Sequence, residues 1–275
     1  MGFTINTNTA SNNAYRNLTL NQNAQSKSLE KLSSGLRINR AADDAAGLAI
    51  SEGLKNQVSG MTQAARNAQD GISVGQTAEG ALTEVHSILN RVRDLAVQAG
   101  NDSNNADSRT AIQTEVTALS EELTRISAST NFNGIELLDG SSPTLTFQVG
   151  AGGVAANDQI TVDLTNIATV ATAVAGLTFD SAANAATSIT ALDTQIKNVS
   201  GARSELGASQ NRLESVTKSL NVSIENLSAA GSRIRDTDMA SEMANFTRSQ
   251  ILSQAGTAML SQANQMNSGV MQLLQ

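Results

Sequence analysis

The stretch Ala78-Glu79-Gly80-Ala81-Leu82-Thr83-Glu84-Val85-His86-Ser87-Ile88-Leu89-Asn90-Arg91-Val92-Arg93-Asp94-Leu95-Ala96-Val97-Gln98-Ala99 decides the architecture. Ala78, Leu82, Val85, Leu89, Val92, Ala96 and Ala99 recur at alternating steps of four and three, which lines them up as the seam of a coiled coil. Upstream, Leu54, Val58, Met61, Ala65, Ala68 and Ile72 follow the same alternation. One phase slip separates the two series, as at a stutter where supercoiling relaxes. The spacing predicts a single helix from about Asp44 to Ala99, roughly 80 Å long.

Downstream, Asn101-Asp102-Ser103-Asn104-Asn105 interrupts the helix with residues that favour turns and caps. Ile112, Val116, Leu119, Leu123 and Ile126 then predict a second helix, ended by Asn131-Phe132-Asn133-Gly134, where Gly134 is free to take a left-handed conformation. Around Pro143, the sole proline, the period changes to two. Leu145, Phe147 and Val149 alternate with polar residues, as do Ile160, Val162 and Leu164, so two half-buried strands form a hairpin with a long loop. The Ala- and Thr-rich residues 165–185 carry no assignment. Leu192, Ile196, Val199, Arg203, Leu206, Gln210, Leu213, Thr217, Leu220, Ile224 and Leu227 predict a long helix over 186–230, with three polar seam positions that fix register at some cost in packing.

The two ends read as weaker helices. Ala14, Leu18, Leu29, Leu32 and Leu36 lie among many polar residues at the front; Leu252, Ala255, Met259, Ala263, Met266, Val270 and Leu273 form an apolar stripe at the back. An isolated helix with no surface to bury against is marginal, so both ends are expected to be disordered in a single chain unless something covers them. The fold class is therefore mainly α: a long antiparallel helical rod or coiled coil with a small β-hairpin insert and paired terminal helices.

Composition excludes many functions. The chain has 275 residues, with 18 Lys and Arg against 25 Asp and Glu and a net charge of −7, which argues against nucleic acid as a partner. With no Cys and one His, neither thiolate chemistry nor a two-histidine metal site is available, and no cofactor is expected. No apolar run approaches the roughly 18 residues of a membrane span. Met1-Gly2-Phe3-Thr4-Ile5-Asn6 lacks the basic and apolar segments of a cleaved secretion signal, and Asn6 stands where myristoylation needs Ser or Thr. His86 reads as an ordinary helix residue, since no catalytic constellation surrounds it. Gly150-Ala151-Gly152-Gly153 follows a strand but opens no helix and lacks a Lys-Ser/Thr ending, so it reads as a hairpin loop rather than a phosphate loop. Arg40, Asp43 and Asp44 at one end and Arg233, Arg235, Asp236 and Asp238 at the other are either solvated helix termini or complementary pairs between connectors or subunits.

Several blocks carry a resemblance. Leu32-Ser33-Ser34-Gly35-Leu36-Arg37-Ile38-Asn39-Arg40-Ala41-Ala42-Asp43-Asp44-Ala45-Ala46-Gly47-Leu48-Ala49-Ile50-Ser51 closely resembles the N-terminal signature of the bacterial flagellins. The likeness continues through Asn90–Gln98, Asn131–Gly134 and Phe147–Gly150, and resumes from Arg233-Ile234-Arg235-Asp236-Thr237-Asp238-Met239-Ala240 to the C-terminus. The resemblance implies a structural subunit without enzymatic activity that self-assembles into the open helical filament of the flagellum. No His-Glu-x-x-His motif suggests the zinc protease that some members insert.

Mapped here, the resemblance implies an inner-tube domain of 1–43 with 236–275. It implies a rod domain of 44–235 with a reduced variable insert at about 140–190. Leu18, Leu29, Leu32, Leu36, Arg40, Asp43, Arg233, Arg235, Met259, Met266, Val270 and Leu273 are then the assembly positions. Arg91, Leu95 and Glu115 match the positions that engage the animal Toll-like flagellin receptor, and Arg91 and Leu95, four apart, are expected on one helix face. Implied partners are copies of the chain, an export chaperone at the C-terminal helix, and hook-associated and cap proteins. The implied location is the extracellular filament, reached without a cleaved signal peptide. A hook–filament junction protein and a cytoplasmic signalling coiled coil are the alternatives; the signature at 32–51 and the short middle favour the flagellins over the first, and the lack of a sensor or membrane segment weighs against the second.

Overall fold

The computed structural model describes residues 8–273, with side chains described for 8–265. Its elements are α1 (Thr9–Ser34), α2 (Ala45–Ala99), α3 (Ala106–Ser129), β1 (Asn131–Phe132), β2 (Ile135–Glu136), β3 (Thr144–Gln148), α4 (Ala155–Asp158), β4 (Gln159–Asp163), α5 (Ile167–Ala175), α6 (Ala182–Arg235) and α7 (Met239–Leu273). They divide into two compact units: the described residues up to Asn56 with those from Asn226 onward, and Gln57–Glu225. Among the described residues no helix is long and apolar enough to cross a membrane.

The Gln57–Glu225 unit is built on α2 and α6. Close approaches pair Gly71 with Leu213, Gly75 with Gln210, Glu79 with Arg203, Arg93 with Asp193 and Gly100 with Ala185. One number rises as the other falls, so the helices run antiparallel. The seam from Ala78 to Ala99 is buried throughout, facing Leu192, Val199, Leu206 and Leu213 of α6. The upstream seam is less well covered: Leu54, Val58 and Met61 are half-buried, and Ala64 rather than Ala65 is fully enclosed. Phe179 is the one aromatic among the largest enclosed side chains, so aliphatic packing between closely spaced helices makes the core.

Close packing borders the phase slip between Ile72 and Ala78. At Gly71, just before it, a Cβ would stand only 3.1 Å from Phe147 of β3 and 3.2 Å from Leu213, and at Gly75, within it, 3.1 Å from Gln210. Asn67 donates from Nδ2 to the Gln148 carbonyl at 3.0 Å, fixing the β3–β4 hairpin against the same turns of α2. That hairpin is antiparallel, pairing Thr144 with Asp163 through Gln148 with Gln159, so β3 ends one residue before Val149 and β4 begins and ends one residue before the Ile160–Leu164 alternation. Its loop contains α4, a turn absent from the sequence reading, closed where the Val154 N–H donates to an Asp158 carboxylate oxygen at 3.0 Å.

Two further departures are informative. α3 ends at Ser129, and Asn131-Phe132-Asn133-Gly134 is not its terminus but a tight hairpin, with Asn133 at φ 52° and Gly134 at φ 79°. Positive φ at both central positions is what a two-residue hairpin turn of matching twist requires. Within the unassigned 165–185, α5 forms behind the cap Asn166 and buries Ile167, Val170, Ala171 and Val174, a helical i, i+3, i+4, i+7 set.

In the other unit, α1 and α7 lie antiparallel: Asn8 donates to the Ala263 carbonyl at 3.0 Å, Ser11 to Asn264 at 3.1 Å, and Leu18 packs against Gly256. The ends are therefore ordered helices that partly cover each other, the paired terminal helices of the expected fold and the covered case in which disorder is not expected. Each supplies the apolar neighbour that the other lacks alone.

Candidate assembly surface

The α1–α7 pair is bare on its outer sides. α1 starts on Asn8, whose side-chain oxygen accepts from the Ser11 N–H at 3.0 Å, and stops at Gly35 in the left-handed conformation. Its buried positions are only Ala14, Leu18 and Ser28. Tyr15 (65% exposed), Leu20 and Leu29 project into solvent, and Leu32 and Leu36 are half-buried. On α7, Ala263 is buried against α1, while Met239, Met243, Ile251, Leu252 and Met259 (66% exposed) face outward. Met243, Ala244, Thr247, Arg248, Ile251 and Leu252 line an open apolar groove on this helix. Contiguous exposed apolar side chains of this size mark a docking surface or an aggregation hazard. Of the assembly positions read from sequence, Leu18 is spent inside the pair and Leu29 and Met259 are free. The side chains of Met266, Val270 and Leu273 lie outside the described residues.

The connectors between α1 and α2 and between α6 and α7 are tied together. The Arg37 N–H donates to the Arg235 carbonyl at 2.6 Å and the Thr237 N–H to the Gly35 carbonyl at 3.0 Å, making a short antiparallel bridge between Leu36 and Asp236. Arg37 also donates from its guanidinium to the Ile234 carbonyl, and Arg235 pairs with Glu52 at 2.8 Å. Arg40 pairs with Glu30, within its own end of the chain, at 2.8 Å. Asp43 accepts from the backbone N–H groups of Arg40 and Asn39 at 3.0 and 3.2 Å, and these bonds hold its carboxyl below the ordinary range. Asp44 accepts from the Gly47 N–H at 2.9 Å, and a side chain at Gly47 would collide with Asp44 and with buried Ile38. Asp238 starts α7 by accepting from Ala240 and Ser241. Arg233 is exposed and has no partner among the described residues. The charge clusters thus divide: Arg235 joins the two connectors, Arg40 and the acids act locally, and Arg233 is free.

Of the three residues that the resemblance assigns to receptor engagement, two lie at the surface and one is buried. Nε and a terminal nitrogen of Arg91 donate to the same Glu115 oxygen at 2.9 and 2.7 Å, linking α2 to α3 on the outside. Leu95 is 2% exposed. The four-residue spacing places it one turn from Arg91 along α2, with Arg91 at the surface and Leu95 packed in the core. His86 is half-buried with an unbonded Nδ1, and among the described residues no group of three or more His, Asp or Glu side chains is placed to hold a metal.

Sequence reasoning missed a polar node. Arg203 and Gln210 of the α6 seam both reach Glu79 of α2, at 3.7 and 3.4 Å, so two of the polar register positions share one carboxylate. The third, Thr217, bonds its own helix backbone. The signal for Glu79 was its place one residue after Ala78 in the seam.

Comparison with known proteins identifies the family. The model of the bacterial flagellin N-terminal helical region matches residues 5–143, and that of the C-terminal helical region matches 189–274. The chain belongs to the bacterial flagellin family. It is 53% identical over 272 residues to a flagellin of Halalkalibacterium halodurans, covering 98% of this chain and 99% of that one. It is 46% identical over 307 residues to a flagellin of Bacillus subtilis, with the same coverage. A flagellar filament 33 kDa core protein of Treponema phagedenis is 44% identical over 267 residues, covering 90% of this chain and 91% of its own length. No enzyme family is indicated for this flagellin chain.

Proposed function

We propose that the α1–α7 pair is the polymerising element of a structural subunit that builds the filament of the bacterial flagellum, outside the cell. The observation that carries this is the pairing itself, which leaves Tyr15, Leu20 and Leu29 on one helix and Met243, Ile251, Leu252 and Met259 on the other uncovered. Fully burying one such side chain contributes about 1.5–3 kcal/mol, so nesting the pair among copies of itself supplies a driving force the single chain lacks. Contacts whose rotation does not close on itself generate an open helical filament. In this reading 1–43 with 236–275 forms the inner tube and 44–235 the rod. Leu29, Leu32, Leu36, Met259, Met266, Val270 and Leu273 meet neighbouring subunits, while Leu18, Arg40, Asp43 and Arg235 hold the ends in register, and free Arg233 is left to pair across subunits.

The same exposed α7 face suits an export chaperone before assembly, and hook-associated and cap proteins at the filament's ends. Arg91 and Glu115 offer a surface to a Toll-like receptor, with Leu95 supporting them from the core. Neither the junction-protein nor the signalling alternative is favoured by the flagellin relatives. Seeded polymerisation of the purified chain, followed by electron microscopy, tests the proposal. Long uniform tubes are expected; soluble monomers or closed dimers would reject it.

A further inference from the structure

We propose that Asn133 is a site of spontaneous deamidation, a chemical modification built into the β1–β2 turn. Asn-Gly occurs once in the chain, at 133–134, and glycine leaves the following backbone nitrogen without a shielding side chain. Both residues are exposed, and the space beside the Gly134 Cα is open for 4 Å. Neither the Asn133 side-chain amide nor the Gly134 N–H has a hydrogen-bond partner among the described residues. Asn133 is also the sole non-glycine residue at positive φ among the described residues.

The reaction is an intramolecular acyl transfer. Hydroxide removes the Gly134 amide proton, the nitrogen attacks Cγ of Asn133, and the side-chain nitrogen leaves as ammonia. A five-membered succinimide results. Water then opens either of its carbonyls, giving aspartate or isoaspartate, with no change in oxidation state. Attack requires rotation about the Asn133 backbone, out of the turn geometry. The turn closes only two pairs, Asn131 with Glu136 and Phe132 with Ile135, and so short a hairpin opens locally without disturbing the core. Isoaspartate lengthens the main chain by one carbon and adds a negative charge, so the tight turn cannot re-form. The damage stops at Leu137 and Leu138, which are buried and tied back by the Leu137 N–H to Thr130 and by Ser127 Oγ to the Leu138 carbonyl.

The test incubates the full chain at mildly alkaline pH, then cleaves it after Glu122 and Glu136 to release residues 123–136. Mass analysis of that peptide and labelling with an isoaspartyl methyltransferase follow the site. Conversion of amide to acid at Asn133, ahead of every other asparagine in the digest, with isoaspartate in the product, is expected. Gly134→Ala is expected to remove that lead. Because Ala strains the turn, the other asparagines of the unaltered chain serve as the comparison that does not depend on the variant. Conversion at Asn133 no faster than at Asn131 or Asn104, or an undiminished rate in Gly134→Ala, would overturn the proposal.

Discussion

Leu82 and Leu252 are the same residue in the same kind of helix, and the fold uses them in opposite ways. Leu82 is fully enclosed between α2 and its neighbours; Leu252 is 45% exposed on α7. Leu82→Ala is expected to cost about 2–5 kcal/mol in the single chain, by lost transfer and an unfilled cavity, read by denaturant unfolding. Leu252→Ala is expected to leave unfolding within about 0.5 kcal/mol and to slow filament growth, since its burial comes only on assembly. Asp43 gives a pH signature. Its carboxyl is held below the ordinary value of 3.8, chiefly by the backbone N–H of Arg40 and then that of Asn39. A depressed value means the charged form supports the fold, so the support is complete above 3.8 and lost as pH falls through the lower, folded value. Amide exchange at Asn39 and Arg40 should accelerate below that point, and Asp43→Asn should remove the step. At this scale the sequence shows which residues are apolar or charged, but not which way a given turn faces. The burial of Leu95 beside exposed Arg91 is not legible from their spacing, and Glu79 gains its two partners only through the antiparallel approach of α6.

Helices longer than fifty residues were the most legible elements, because a four-three alternation repeated over many turns has no other reading. α2 begins within one residue of its expected start, and α6 extends a few residues beyond both expected ends. α5 carries an equally helical pattern, but over nine residues rich in Ala and Thr it is too short to stand out. In sequence the Asn133-Gly134 turn looks like a helix stop because the same left-handed conformation serves both ends. α1 and α7 are each marginal alone, so the sequence shows that they pair but not which side chains the pairing buries. Removing 253–275 takes away the Gly256 and Ala263 contacts to α1. Circular dichroism should then report loss of α1 as well as α7 while the Gln57–Glu225 core keeps its helicity, and seeded growth should cease. Growth at the unaltered rate would show that α7 is not the polymerising element.

Charge is divided between the two units. Gln57–Glu225 holds nine Lys and Arg against eighteen Asp and Glu, whereas the remaining residues hold nine against seven. Bringing copies together therefore opposes attraction at the terminal helices with repulsion between acidic middles. Raising ionic strength from about 0.01 to 0.15 M shortens the screening length from about 30 to 8 Å. The critical concentration for growth should fall over that range and level off beyond it. A critical concentration indifferent to salt would mean that the acidic surfaces stay apart in the filament. The central claim, that the terminal helices are half-satisfied in one chain and completed by its copies, is tested most directly by amide hydrogen exchange on monomer and filament side by side. Protection in α1 and α7 should be weak in the monomer and rise by orders of magnitude in the filament, while the α2–α6 seam is protected in both. Terminal helices protected as strongly as that seam in the monomer, and unchanged on assembly, would contradict it.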